Sequence, residues 1–273
     1  TWKNTVSILE KLSEFAVSGS VWTWMTDEAN KPIRSALIEP KGDKAAVQAY
    51  LHGKSLVKEE GKEHDAVQAL TLAIEKYERH ALAYERRGYV NILLKNYKDA
   101  LYDFNKSIDF NPTHADAYYG RGRLKMMMED WEGAEKDLAI AMKQSIPLQP
   151  MYWQARRVKG ECNLILKEYD KAIFEYKFFV KREFSISDPN YKWRKHAMQN
   201  YGVALLEKGD VQEAIKMFNA AGDILEGRTL MPKAEQLYYR GVALKRAGKS
   251  EYMKCLKESA SLGYEKARAM MVK

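Results

Sequence analysis

The sequence predicts an all-α chain: a solenoid of about six stacked helix pairs behind an atypical N-terminal segment. Three observations predict it. A unit recurs along the chain, the spacing inside each unit is constant while the spacing between units is not, and small residues recur at helical intervals beside large apolar ones.

The repeat is clearest in Ala81-Leu-Ala-Tyr-Glu-Arg-Arg-Gly88 and Ala115-Asp-Ala-Tyr-Tyr-Gly-Arg-Gly122, which align without a gap at an offset of 34 residues. Each leads to an aromatic (Tyr97, Trp131), an alanine (Ala100, Ala134) and a large apolar residue (Phe104, Leu138). Further copies pass through Gly160/Tyr169/Ala172/Tyr176 and Gly202/Val211/Ala214/Phe218, with weaker ones around Gly241 and from Tyr50 and Gly53 to Ala66 and Leu70. Glycine to alanine is 12 residues in four copies, whereas glycine to glycine runs 34, 38, 42 and 39. Insertions therefore fall between units, near 145–150, 185–191 and 226–232, where prolines and turn residues gather. Each unit reads as two amphipathic helices. The glycine and alanine are small because paired helices approach to about 8–10 Å only over small contact residues. Asn111-Pro112 is expected to end a helix, since a residue before proline is driven out of the α region. In the last copy Met253 falls where the alanine belongs, and in the first Gly53 to Ala66 is 13 residues, one too many.

Tyr84/Gly88/Ala100/Phe104/Pro112, Tyr118/Gly122/Ala134/Ala141 and Gly202/Ala214/Phe218/Ala221 carry a pattern that resembles the tetratricopeptide repeat (TPR) family over residues 45–262. The resemblance implies a right-handed superhelix whose first helices line a concave surface that captures a segment of another protein. In some members Lys and Asn on first helices clamp a terminal carboxylate. The corresponding residues here, Tyr50, Lys54, Arg86, Asp116 and Gly120, do not make that set.

Outside the repeats, residues 1–44 are read as a separate segment. Residues 1–17 suit an amphipathic helix. Ser20–Thr26 and Ile33–Ile38 suit a β-hairpin, or else a loop whose tryptophans pack on the first repeat. Trp2, Trp22 and Trp24 are a large apolar load, expected to cap the first repeat, fill the groove or join two copies. Residues 263–273 are expected to form a capping helix.

Composition narrows the function. Of 273 residues, 46% are hydrophobic and 30% charged, with a mean hydropathy of −0.53, a globular balance. No run approaches the ~18 apolar residues of a membrane span, and no signal peptide is read at Thr1-Trp2-Lys3-Asn4; a cytoplasmic location is expected. Cys162 and Cys255 are too few and too far apart for a disulfide framework or a four-cysteine zinc site. The five histidines form no HExxH pair. Gly53-Lys-Ser55 and Gly248-Lys-Ser250 lack the upstream glycine of a phosphate loop, with Gln48 and Ala243 in its place. No enzyme activity and no cofactor or metal are expected.

What remains is a non-enzymatic adaptor or scaffold. The stripe of the first helices left over from packing is expected to bind a peptide or helix with apolar anchors and acidic character, through Tyr50, Lys54, Tyr89, Ile92, Tyr119, Arg123, Met126, Arg157, Glu161, Gln199 and Tyr238. Arg156, Arg157, Lys181, Arg182, Arg194 and Lys195 form the densest basic stretch, a second place for an acidic partner. The net charge of +8 suits acidic partners. Two alternatives are self-association as a structural or assembly factor, through the N-terminal segment, and, third in order, nucleic-acid binding, for which no recognised motif is present.

Overall fold

The computed structural model describes residue 9 and residues 21–27, 31–38, 43–224 and 227–271. The helix expected over 1–17 lies, but for Leu9, outside them. The hairpin is present: β1 (Val21–Thr26) pairs antiparallel with β2 (Pro32–Ile38), with a register shift between Met25 and Thr26. Asp27 closes its end, its Oδ1 accepting from the Lys31 amide at 2.8 Å.

Thirteen helices follow among the described residues. The chain forms two compact units, the first ending at Tyr152 and the second beginning at Trp153. The first holds α1 (Lys44–Leu56), α2 (Glu63–Lys76), α3 (Ala81–Leu93), α4 (Tyr97–Phe110), α5 (Ala115–Met127) and α6 (Trp131–Gln144). The second begins within α7 (Pro150–Ile165) and continues through α8 (Tyr169–Lys181), a 3-10 turn (Tyr191–Trp193), α9 (Arg194–Lys208), α10 (Val211–Asp223), α11 (Lys233–Arg246), α12 (Tyr252–Ser261) and α13 (Glu265–Met271). Helices are paired as the spacing requires, α1 with α2, α3 with α4, α5 with α6, α9 with α10 and α11 with α12. The His64-Asp65 pair lies in the first turn of α2, with Asp65 on Lys62 at 2.9 Å.

The small residues are required by contacts between the paired helices. A methyl group added to Gly88, Gly122, Gly160 or Gly202 would press on Phe104, Leu138, Tyr176 or Phe218, each sixteen residues on. In the first pair the partner is Leu70, one residue later, which absorbs the extra residue in that turn. In the last it is Leu256, one residue earlier, so Met253 falls out of the alanine position and is 42% exposed.

Every intact turn has one shape. The residue seven after the glycine is left-handed: Lys95, Glu129 and Lys167 at φ near 60° (61, 61 and 59°), and Gly209 and Gly248 at 94 and 68°. The next amide donates back five residues, as Asn96 to Asn91, Asp130 to Lys125 and Glu168 to Asn163, all at 2.8–2.9 Å. This Schellman arrangement suits glycine, and a side chain there costs about 1 kcal/mol. Lys95→Gly and Lys167→Gly should each raise stability by about that amount in urea melts, with m unchanged.

Candidate partner-binding faces

In the first unit α3 and α5 lie against each other, and α1 precedes them. Tyr50 is buried in the apolar core of α1–α3, its ring 5.1 Å from His80, and the Lys54 ammonium sits 5.5 Å over it. Ile92 packs on the Phe104 cluster. Tyr89, Tyr119 and Met126 are half-buried, and Arg123 is exposed with its guanidinium 5.8 Å over the Tyr119 ring. Leu93, Met127 and Met128, which lie outside the expected stripe, are exposed large apolar residues on the same two helices or at their end.

Sequence reasoning missed a ladder of ion pairs. Asp103, 1% exposed, receives Arg87 in a two-pronged contact (3.1 and 2.7 Å) and Asn91 Nδ2 at 3.1 Å. Burial pushes the Asp103 carboxyl up, against the pull of Arg87. Asp137 receives Arg121 at 2.8 and 2.7 Å and Lys125 at 2.9 Å. In the second unit Glu175 receives Lys159 at 3.0 Å and Arg156 at 3.2 Å. Arg87 and Arg121 also reach the preceding pair, at Thr71 (2.9 Å) and Asn105 (2.8 Å). The forked guanidinium suits this double duty. The signal was in the sequence: a cation precedes each of Gly88, Gly122 and Gly160, and an acid precedes each of Phe104, Leu138 and Tyr176.

In the second unit Arg157, Glu161 and Gln199 meet in one polar cluster. Arg157, 5% exposed, pairs with Glu161 and places its guanidinium against Trp193, 4.2 Å from the ring centre. Glu161 is 3.3 Å from His196 Nε2. Asn200 is 3.3 Å from the same nitrogen and donates to the Tyr176 hydroxyl at 3.2 Å, which burial holds well above the ordinary phenol range. Over this cluster runs the connection from α10 to α11. Leu230 N donates to His196 Nδ1 at 3.3 Å, Arg228 N to the Lys192 carbonyl at 2.6 Å, Lys195 Nζ to the Ile224 carbonyl at 3.1 Å, and the Thr229 hydroxyl to Gln199. Tyr238 meets other rings, edge-on to Tyr239 at 5.4 Å and tilted against Tyr264 at 5.1 Å.

The basic stretch is largely occupied by the protein itself. Arg156 lies 4.9 Å from the Phe178 ring, Arg182 5.0 Å from Trp153 and Arg194 3.9 Å from Tyr191; Lys181 is exposed. Among the described residues no group of three or more His, Cys, Asp or Glu side chains is placed to hold a metal ion, and no helix is long and apolar enough to cross a membrane.

The tetratricopeptide repeat family model matches residues 50–115 and 119–176. The TPR repeat-containing thioredoxin TDX of Arabidopsis thaliana is 33% identical over 84 residues, 31% of this chain and 22% of that protein. Serine/threonine-protein phosphatase T of Aspergillus oryzae is 26% identical over 110 residues, 40% of this chain and 22% of that protein. The chain thus spans about a fifth of the length of the curated relatives it matches. Among solved structures, Pseudomonas aeruginosa pilF matches with a TM-score of 0.66 at 15% identity, over 84% of this chain and 98% of that one. YrrB, described as a TPR protein with an unusual peptide-binding site, matches with a TM-score of 0.63 at 18% identity, over 76% of this chain and 100% of that one. At these identities the likeness is one of fold. This chain thus carries tetratricopeptide repeats over residues 50–115 and 119–176, and its further helix pairs share their fold. Its repeats are a scaffold for protein–protein interaction, and thioredoxin and phosphatase enter only in the names of proteins matched over about a fifth of their length.

Proposed function

We propose that the chain binds an extended or helical segment of another polypeptide on the joined faces of α3 and α5. The observation that carries this is a surface of exposed or half-buried interface-type residues on two touching helices: Tyr89, Ile92 and Leu93 beside Tyr119, Arg123 and Met126. Tyr and Arg are favoured interface anchors, and methionine adapts to varied apolar partners. Arg123, held over an aromatic face, suits a carboxylate on the incoming segment. The peptide-binding site described for YrrB, a fold neighbour, is in keeping with this use.

Peptides selected from a random displayed library on the wild-type chain test it. Acidic sequences with apolar anchors should be enriched, and they should bind Tyr119→Ala/Arg123→Ala at least about tenfold more weakly, a loss of about 1.4 kcal/mol. Helicity and melting should be unchanged. Equal binding to both proteins, or no enriched sequence, would remove the assignment.

A further inference from the structure

The segment Gly227–Met231 does not behave as a plain connection. It follows one face of α9 and the turn before it, meeting Lys192, Lys195, His196 and Gln199, residues spaced three or four apart and so on one side of the helix. Its backbone amides at 228 and 230 donate to that face, while the Thr229 hydroxyl lies against Gln199 and the Arg228 guanidinium stands 5.9 Å from the Trp193 ring centre. Two internal bonds hold its path: Met231 N donates to Thr229 Oγ1 at 3.1 Å, and Gln236 Nε2 to the Met231 carbonyl at 2.6 Å. The Leu230 side chain faces outward, 70% exposed. Little apolar surface therefore holds the segment down, and its attachment is a set of polar contacts of the kind made to a bound peptide.

We infer that Gly227–Met231 is a built-in occupant of α9, an internal competitor that covers this first-helix face until it is displaced. The inference rests on the reading that first-helix faces of this protein receive polypeptide segments. The seat is chemically specific: an amide acceptor at His196 Nδ1, a carbonyl at Lys192, a hydroxyl partner at Gln199 and an aromatic ring for a guanidinium. It fits an arginine–hydroxyl segment whose next side chain points to solvent, which is what the chain itself supplies. Arg157 and Glu161 beneath support the seat through Trp193 and His196.

The test uses the full chain with Arg228, Thr229 and Leu230 replaced together by glycine, and the labelled synthetic peptide Gly-Arg-Thr-Leu-Met-Pro as probe. The peptide should bind the triple-glycine chain at least about tenfold more tightly than wild type, whose seat is filled. Gln199→Ala in the triple-glycine background should weaken that binding several-fold. In wild type, the amides of Arg228 and Leu230 should exchange at least about tenfold more slowly than in the free peptide, since local opening must precede exchange. Equal binding to both chains, binding to neither, or unprotected amides would overturn the inference. The library selection on Tyr119 and Arg123 is read on the first unit, so failure there is separable from failure here.

Discussion

Phe104→Ala should cost the chain about 4 kcal/mol, within the range for emptying a fully buried aromatic site. Phe104 is fully buried and is flanked on two sides by glycine. Within its own pair its Cε1 would lie 3.2 Å from a methyl group on Gly88. Towards the next pair a methyl on Gly120 would collide with the same atom. The ring is thus the piece that joins α4 both to α3 and to α5, and its removal leaves a void among the three helices. The converse change is diagnostic. Gly120→Ala should destabilise by about 2 kcal/mol through overpacking, although alanine is the better helix former. Phe104→Leu in the same chain should recover part of that loss, because the shorter side chain vacates the space. A double-mutant cycle from urea melts measures the coupling, expected at about 1 kcal/mol or more. Additive single effects would show that the ring does not carry the contact.

Acidification should destabilise the wild-type chain through His80. This residue caps α3, its Nδ1 accepting the Ala83 amide at 3.3 Å, so the imidazole must be neutral to do its work. Burial lowers it to about 4. The sign follows. The folded value lies below the unfolded one of about 6.5, so the unfolded chain takes up the proton first. The stability contributed by neutral His80 is whole above about pH 6.5 and is lost as pH falls towards 4. The lost contribution is about 3 kcal/mol, at about 1.36 kcal/mol for each pH unit in which only the unfolded state is protonated. His80→Asn keeps an acceptor at the cap and has nothing to titrate. The difference in stability between wild type and His80→Asn should therefore shift by about 3 kcal/mol between pH 7 and pH 4, in favour of the variant. A difference that does not change with pH would place the proton elsewhere.

The legible part of this protein is the part written in short-range spacing. A glycine with an alanine 12 residues on and a large apolar side chain 16 residues on can only be two helices crossing closely, and each such pair is present in the structure. The hairpin from 21 to 38 was one of two readings, because β-forming residues without a partner in the pattern do not by themselves exclude a loop.

Side-chain partnership across pairs was less legible. Arg87 and Arg121 look like surface residues in a helical wheel, yet each lies between two successive pairs and lands on a buried acid. The periodicity was there, but charge alone does not reveal which cations are desolvated. The second unit departs further. Arg157, Glu161 and Gln199 occupy the same stripe as Tyr119 and Arg123, and spacing treats them alike. In the folded chain Arg157 and Gln199 are buried, and Arg157 lies under Trp193 while Gln199 lies against Thr229.

The sequence by itself determined the helix pairs, their number and the small residues on which they close, because those depend on contacts between residues at most about one repeat apart. Only the tertiary structure decided which stripe residues remain accessible. That depends on which distant side chains meet, as where residues 227–232 come to rest against His196 and Gln199, for a short chain segment has many paths of similar local energy and only such contacts select one.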